Sequence, residues 1–307
     1  MTGGRPRPPA TGRGAPAAAA SGGRVPRTGR WLAAPLAFWL AAWFLLPVAL
    51  LLAESFRPVV IGQPTPPGLT LANYARFLGD PFYRGTLAAT LVLGAAVTAL
   101  ALALGYPVAY GLARGRHRGR AVLRLCVVAP LLVSVVIRTY GWIVLLANNG
   151  AVNQALLALG LVDQPVKFLF THTGVLIGLV HFALPVAILS LVGVIEAVDR
   201  SLEDAARGLG AGAWRAFWAV TFPLTLPGVA AGGMLIFSLT VAAFVTPALM
   251  GGPSLIVLST LIYQQMTVTL EWGFGAAVAT ILLVVATGLF LAAQRGLASM
   301  RGTGAAA

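Results

Sequence analysis

Residues 201–228 read SLEDAARGLGAGAWRAFWAVTFPLTLPG, a stretch that carries charge and a helix-breaking middle although long apolar runs flank it on both sides. Glu203, Asp204, Ala205 and Ala206 form a helix-start pattern, with Ser201 placed to cap the first turn. Gly208, Gly210 and Gly212 then end that helix, because repeated glycines permit a tight turn. A second helix is predicted beyond them, with Trp214, Phe217 and Trp218 at i, i+3 and i+4 on one face. Pro223 and Pro227 mark its hand-over to the next apolar run. The expectation is a short helix–turn–helix loop lying on a membrane surface.

A membrane is required by the rest of the chain. Hydrophobic residues make up 58% of it and charged residues only 9%, against roughly 25% charged in soluble domains. Such a chain cannot cover itself with polar surface in water, so it is read as an all-α polytopic membrane protein. A net charge of +13 would suggest nucleic acid in a soluble protein. Here the arginines lie between apolar runs, so they orient the chain in the bilayer and no nucleic-acid partner is expected. Cys126 sits alone inside an apolar run and is expected to be a small buried hydrophobe.

Working outward, residues 1–30 are rich in Gly, Pro, Ala and Arg and are expected to form a disordered cytoplasmic tail. The run 31–53 is long enough to span as a helix and too long for the core of a signal peptide. Further spans are predicted at about 86–113, 121–147, 172–195, 224–250 and 274–294, within a membrane domain over 31–295, with a short cytoplasmic tail over 296–307. The segment TLANYARFL in the first long loop has the pattern of a short amphipathic helix, and 251–273 is expected to be loop. Six spans put both termini on one side. That side holds sixteen arginines, and the other holds Arg57, Arg76, Arg84 and Lys167. The bias places the termini and the 201–228 loop in the cytoplasm.

These residues resemble a known family. The loop is similar to the EAA loop of ABC-importer permeases, in which Glu-Ala-Ala, three residues, Gly, nine residues and Ile-x-Leu-Pro recur. Asp204, Ala205 and Ala206 open the pattern here, Gly210 holds the glycine, and Val220, Thr221, Phe222 and Pro223 close it. Asp for Glu, Val for Ile and Phe for Leu are departures that keep charge sign or apolarity. Residues 137–142 (IRTYGW), the turn at 148–150 with Asn153, and 272–277 (WGFGAA) resemble the spermidine/putrescine branch. Branches for opines, other amines, sulfate or iron share much of this layout. The resemblance implies a type I importer fold of six helices in an inner membrane. It also implies a second permease subunit, two ATPase subunits and an extracytoplasmic solute-binding protein as partners. It assigns the ATPase-coupling role to Glu203, Asp204, Ala205, Ala206, Gly210 and Pro223. Asp204 is expected to hold the ATPase, and loss of Glu203 to matter much less, since successive helical residues point about 100° apart.

No GxxxxGK[ST] phosphate loop occurs, so ATP and Mg would be used by a separate subunit and this chain would carry no cofactor. For a substrate pathway the candidates are Glu54, Arg138, Tyr140, Glu271 and Trp272, because ammonium groups are attracted to acids and aromatic faces. Arg138, the one basic residue inside a span, is read first as structurally paired or snorkelling. His172 and His181 are too isolated for a metal site. An ion-gradient transporter would favour paired ionisable residues at the midplane; a membrane enzyme would need a clustered metal or nucleophile set. Neither pattern is visible.

Overall fold

The computed structural model describes residues 27–58, 68–115 and 119–304. The disordered tail expected over 1–30 lies outside these as far as residue 26; from Arg27 the chain is helical. Two compact units divide the chain, Met1–Ala49 and Leu50–Ala307. In the first, helix α1 (Arg27–Ser55, which continues into the second) exposes Phe38, Trp39, Trp43 and Phe44, with Trp39 stacked on Trp43. Among the described residues, six helical stretches are long and apolar enough to cross a membrane.

The second unit is organised on two of them, α3 (Pro81–Arg114) and α7 (His172–Glu196), which pack along their length. Ala101, Ala109 and Ala113 of α3 meet Ala183, Ala187 and Leu191 of α7 in two buried clusters, where small side chains let backbones approach. Helix α10 (Phe222–Val241) packs on both, and the short α11 (Val245–Met250) follows it. A Cβ at Gly228 would stand 2.4 Å from Val194, so only glycine admits this crossing.

Three expectations are corrected. The span predicted over 121–147 is broken into α4 (Arg120–Val128), a 3₁₀ turn (Ala129–Leu132) and α5 (Val135–Leu146). Pro130 cannot donate a backbone bond, and Ser134 restarts the helix by accepting the Val136 amide at 3.3 Å. After a turn the chain continues as α6 (Ala151–Ala158), held by Asn153, which is fully buried and exchanges hydrogen bonds with Val166. The expected loop 251–273 contains helix α12 (Leu258–Thr267), whose first amide is received by Thr90 of α3 at 2.9 Å. Alternation of Leu258, Leu261 and Gln265 was too short a signal to mark it. Cys126 is exposed, not buried, because α4 contributes only Val127 to the core.

The last span continues as α13 (Trp272–Gly304), past the tail boundary expected at 296. The predicted amphipathic segment is α2 (Ala72–Gly79), which buries Asn73 and Phe77. Asn73 donates to the carbonyls of Ser55 and Arg57, both at 2.9 Å.

Candidate coupling site

The loop after α7 begins with helix α8 (Arg200–Gly208). Its cap is Asp199, not Ser201: the Asp199 carboxylate accepts the Ser201 amide at 2.9 Å. That amide, with the Ser201 side chain, holds the Asp199 carboxyl below its ordinary value. The helix ends as the glycines require. Gly210 has φ +88°, its amide donates to Arg207, and the Ala211 amide donates to Ala206, the paired bonds of a left-handed helix terminus. Nothing lies within 4 Å of a Cβ built on Gly210, so backbone conformation alone selects glycine.

Helix α9 (Ala213–Ala216) follows, and a π turn (Phe217–Thr221) joins it to α10 without a break. The hand-over expected at Pro223 and Pro227 is therefore absent, and the helical path from Ala213 to Val241 is continuous. Pro223 cannot donate to Ala219 and its ring would crowd that carbonyl; the widened turn relieves both. Trp214 and Trp218 are exposed, as interfacial anchors would be, whereas Phe217 turns inward against Tyr106 and Tyr110.

The two acids of α8 face different surroundings. Asp204 is exposed beside exposed Ala205, half-buried Ala206 and exposed Arg207. Glu203 is only 5% exposed. Its carboxylate accepts from Arg114 Nε at 3.0 Å, Thr221 Oγ1 at 2.7 Å and, more weakly, Tyr110 at 3.4 Å. Arg114 also donates to the Val198 carbonyl, and Arg200 to the Ala113 carbonyl. The sequence reading missed Arg114, Thr221 and Tyr110. Arg114 counted there only toward the charge bias, and its partner lies 89 residues away. The outward residues of α8 include Asp204, Leu202, Arg207 and small side chains, a surface suited to close packing by a partner.

Comparison with known proteins decides the family. Residues 101–299 match the family described as binding-protein-dependent transport system inner membrane component. The chain belongs to that family. As a permease it is 35% identical over 253 residues to the spermidine/putrescine transport system permease protein PotB of Escherichia coli K12, covering 82% of this chain and 91% of that protein. The PotB of Salmonella typhimurium LT2 is likewise 35% identical, over 82% and 88%. The inner membrane ABC transporter permease protein YdcU of Escherichia coli K12 is 30% identical over 74% and 75%. Among solved structures, a bacterial ABC transporter that imports the acidic polysaccharide alginate shares the fold, with a TM-score of 0.72 at 20% identity over 89% of this chain and 96% of that one. The molecule is thus a multi-pass inner membrane permease subunit with the importer fold.

The permease's five pathway candidates are not joined to one another by any hydrogen bond or ring contact among the described residues. Glu54 pairs with Arg57 one turn on, at 3.1 Å. Glu271 is buried and accepts from Arg76 of α2 at 2.7 Å, with the Arg76 guanidinium 4.1 Å from the Phe274 ring centre. Burial opposes the charge on Arg76, but the Glu271 carboxylate, with Tyr83, raises the guanidinium above its ordinary value. Both acids are thus committed within the chain. Tyr140 and Trp272 are exposed. Arg138 makes no ion pair among the described residues: Nε and Nη1 are buried without partners, and its guanidinium lies 5.6 Å from the Phe182 ring centre.

Proposed function

We propose that this permease carries spermidine, putrescine or a similar polyamine across the inner membrane as one subunit of an ATP-driven importer. The observation that carries the substrate is 35% identity to spermidine/putrescine permeases over most of both chains. ATP and Mg are used by separate ATPase subunits, which dock on the outward face of α8 around Asp204, Ala205 and Ala206. Gly210 and Pro223 shape the ends of that surface. A second, homologous permease subunit completes the pathway, and an extracytoplasmic binding protein delivers solute to it. The termini and α8 lie in the cytoplasm, a placement supported by sixteen arginines on that side against four basic residues on the other.

Closure of the ATPase pair would press on α8 and turn the pathway from inward-facing to outward-facing. Tyr140 and Trp272 are the aromatic faces free to meet an ammonium group, since Glu54 and Glu271 are already paired. The test is uptake of labelled spermidine into proteoliposomes holding the assembled complex and its binding protein. Uptake that needs ATP and is competed by putrescine supports the reading. ATP-dependent uptake of a different solute class with none of spermidine contradicts the substrate, and gradient-driven uptake without ATP contradicts the mechanism.

A further inference from the structure

We propose that Glu203 is the positioning residue that passes motion from the ATPase-facing helix to two membrane spans. This rests on the reading that the ATPase docks on the outward face of α8. The Glu203 carboxylate receives donors from two elements at once: Arg114 and Tyr110 at the end of α3, and Thr221 at the close of the π turn that leads into α10. The Arg114 and Glu203 side chains are 9% and 7% exposed. The contact is therefore dry and short, while the ion pairs of Glu196 with Arg120 and Arg124 nearby are open to solvent.

The fastening is doubled at the first turn. Arg114 reaches the Val198 carbonyl at 2.8 Å and Arg200 the Ala113 carbonyl at 2.7 Å, so α8 cannot slide along α3 without breaking these partly buried bonds. Thr221 adds the second output. A π turn holds one more residue than an α turn and is a place where a helix can change register. Glu203 grips the entry to α10 at that point, one residue from outward-facing Asp204. A push on Asp204 is delivered to α3 and α10 together, and Glu203 itself touches neither solute nor ATPase.

A purely structural ion pair predicts something different. Removing it would change the amount of folded protein and leave each folded complex with normal coupling. The test uses the full complex with binding protein in proteoliposomes, reading ATPase copurification, ATP hydrolysis and solute uptake on the same preparation. Glu203→Gln keeps shape and one acceptor but removes the charge. It is expected to retain the ATPase and its hydrolysis while uptake per ATP falls on the order of tenfold. Arg114→Gln should do the same, and the double variant should be no worse than either single, because one link is broken in all three. Thr221→Val leaves the ion pair intact and should lower the ratio by a smaller factor; it serves if the charge variants do not insert.

Normal uptake per ATP in folded Glu203→Gln or, should that fail to insert, in Thr221→Val overturns the proposal. So does loss of the ATPase from folded Glu203→Gln, which would make Glu203 a docking residue. Failure of the underlying reading is seen separately, as unchanged ATPase copurification and uptake in Asp204→Ala.

Discussion

At the scale of single residues, burial decides what each acid does. Sequence reasoning expects Asp204 to hold a partner and loss of Glu203 to matter much less; the buried contact to Arg114 gives Glu203 a part of its own within the chain. Glu203→Ala strands the Arg114 guanidinium, and breaking one side of a buried pair costs about 3–5 kcal/mol. The expected outcome is a thermal unfolding midpoint in detergent well below that of Asp204→Ala, whose side chain is exposed. Equal midpoints would show that Arg114 finds another partner. The same logic sets the order at the α2 cluster, where Glu271 is buried and Arg76 is half in solvent. Arg76→Ala should destabilise by about 1–3 kcal/mol, since the orphaned group is the buried one. Glu271→Gln should cost less, because the freed guanidinium can turn to water. Neither pairing is legible in the sequence: the partners are 89 and 195 residues apart, and adjacent acids on a short helix look alike until one is covered.

At the scale of elements, local chemistry was legible and packing was not. The glycine pattern of 208–212 is read correctly because positive φ is a property of the local chain, and Gly210 supplies it. Gly210→Val should therefore disrupt the end of α8 at a cost of about 1–2 kcal/mol and abolish most uptake. Gly210→Asn should retain uptake, since asparagine tolerates that conformation and no neighbour lies within 4 Å. Similar losses in both variants would mean that something besides φ selects glycine. The cap was misassigned by two residues, from Asp199 to Ser201, because either residue type serves and the helix start is not marked in the sequence. With the Asp199 carboxyl below its ordinary value, its contribution is complete above the usual carboxylate range, about pH 4. It is lost as pH falls through the lower native value. Hydrogen exchange of the α8 amides, corrected for intrinsic rates, should lose protection in acid in the wild type and show no such change in Asp199→Asn. The break in the span predicted over 121–147 and helix α12 were hidden for another reason. The break follows from single local residues, Pro130 and Ser134, inside a run that is apolar throughout, and α12 starts on a distant contact, Thr90 receiving the Leu258 amide, with too short a periodicity of its own to mark it.

At the scale of the whole molecule, composition and spacing carry far. The membrane class, six apolar stretches and the loop motif all follow from hydropathy and residue spacing, and the family match confirms the class. Sidedness is open to a direct check in which Cys126, being exposed, is first replaced by serine. Cysteines at Ser201 and Gln164, both exposed, should then label from opposite faces of the membrane, and labelling of both from outside would exclude the cytoplasmic placement of α8. The central claim is that a separate ATPase meets this permease on the outward face of α8, and cross-linking tests it most directly. In the Cys126→Ser background, Asp204→Cys should join to the ATPase subunit through a short thiol-reactive linker in membranes, with a yield that changes on adding ATP, while Glu203→Cys should not join at all. Cross-linking from Glu203→Cys alone, or from neither position in complexes that still hold the ATPase, would contradict it.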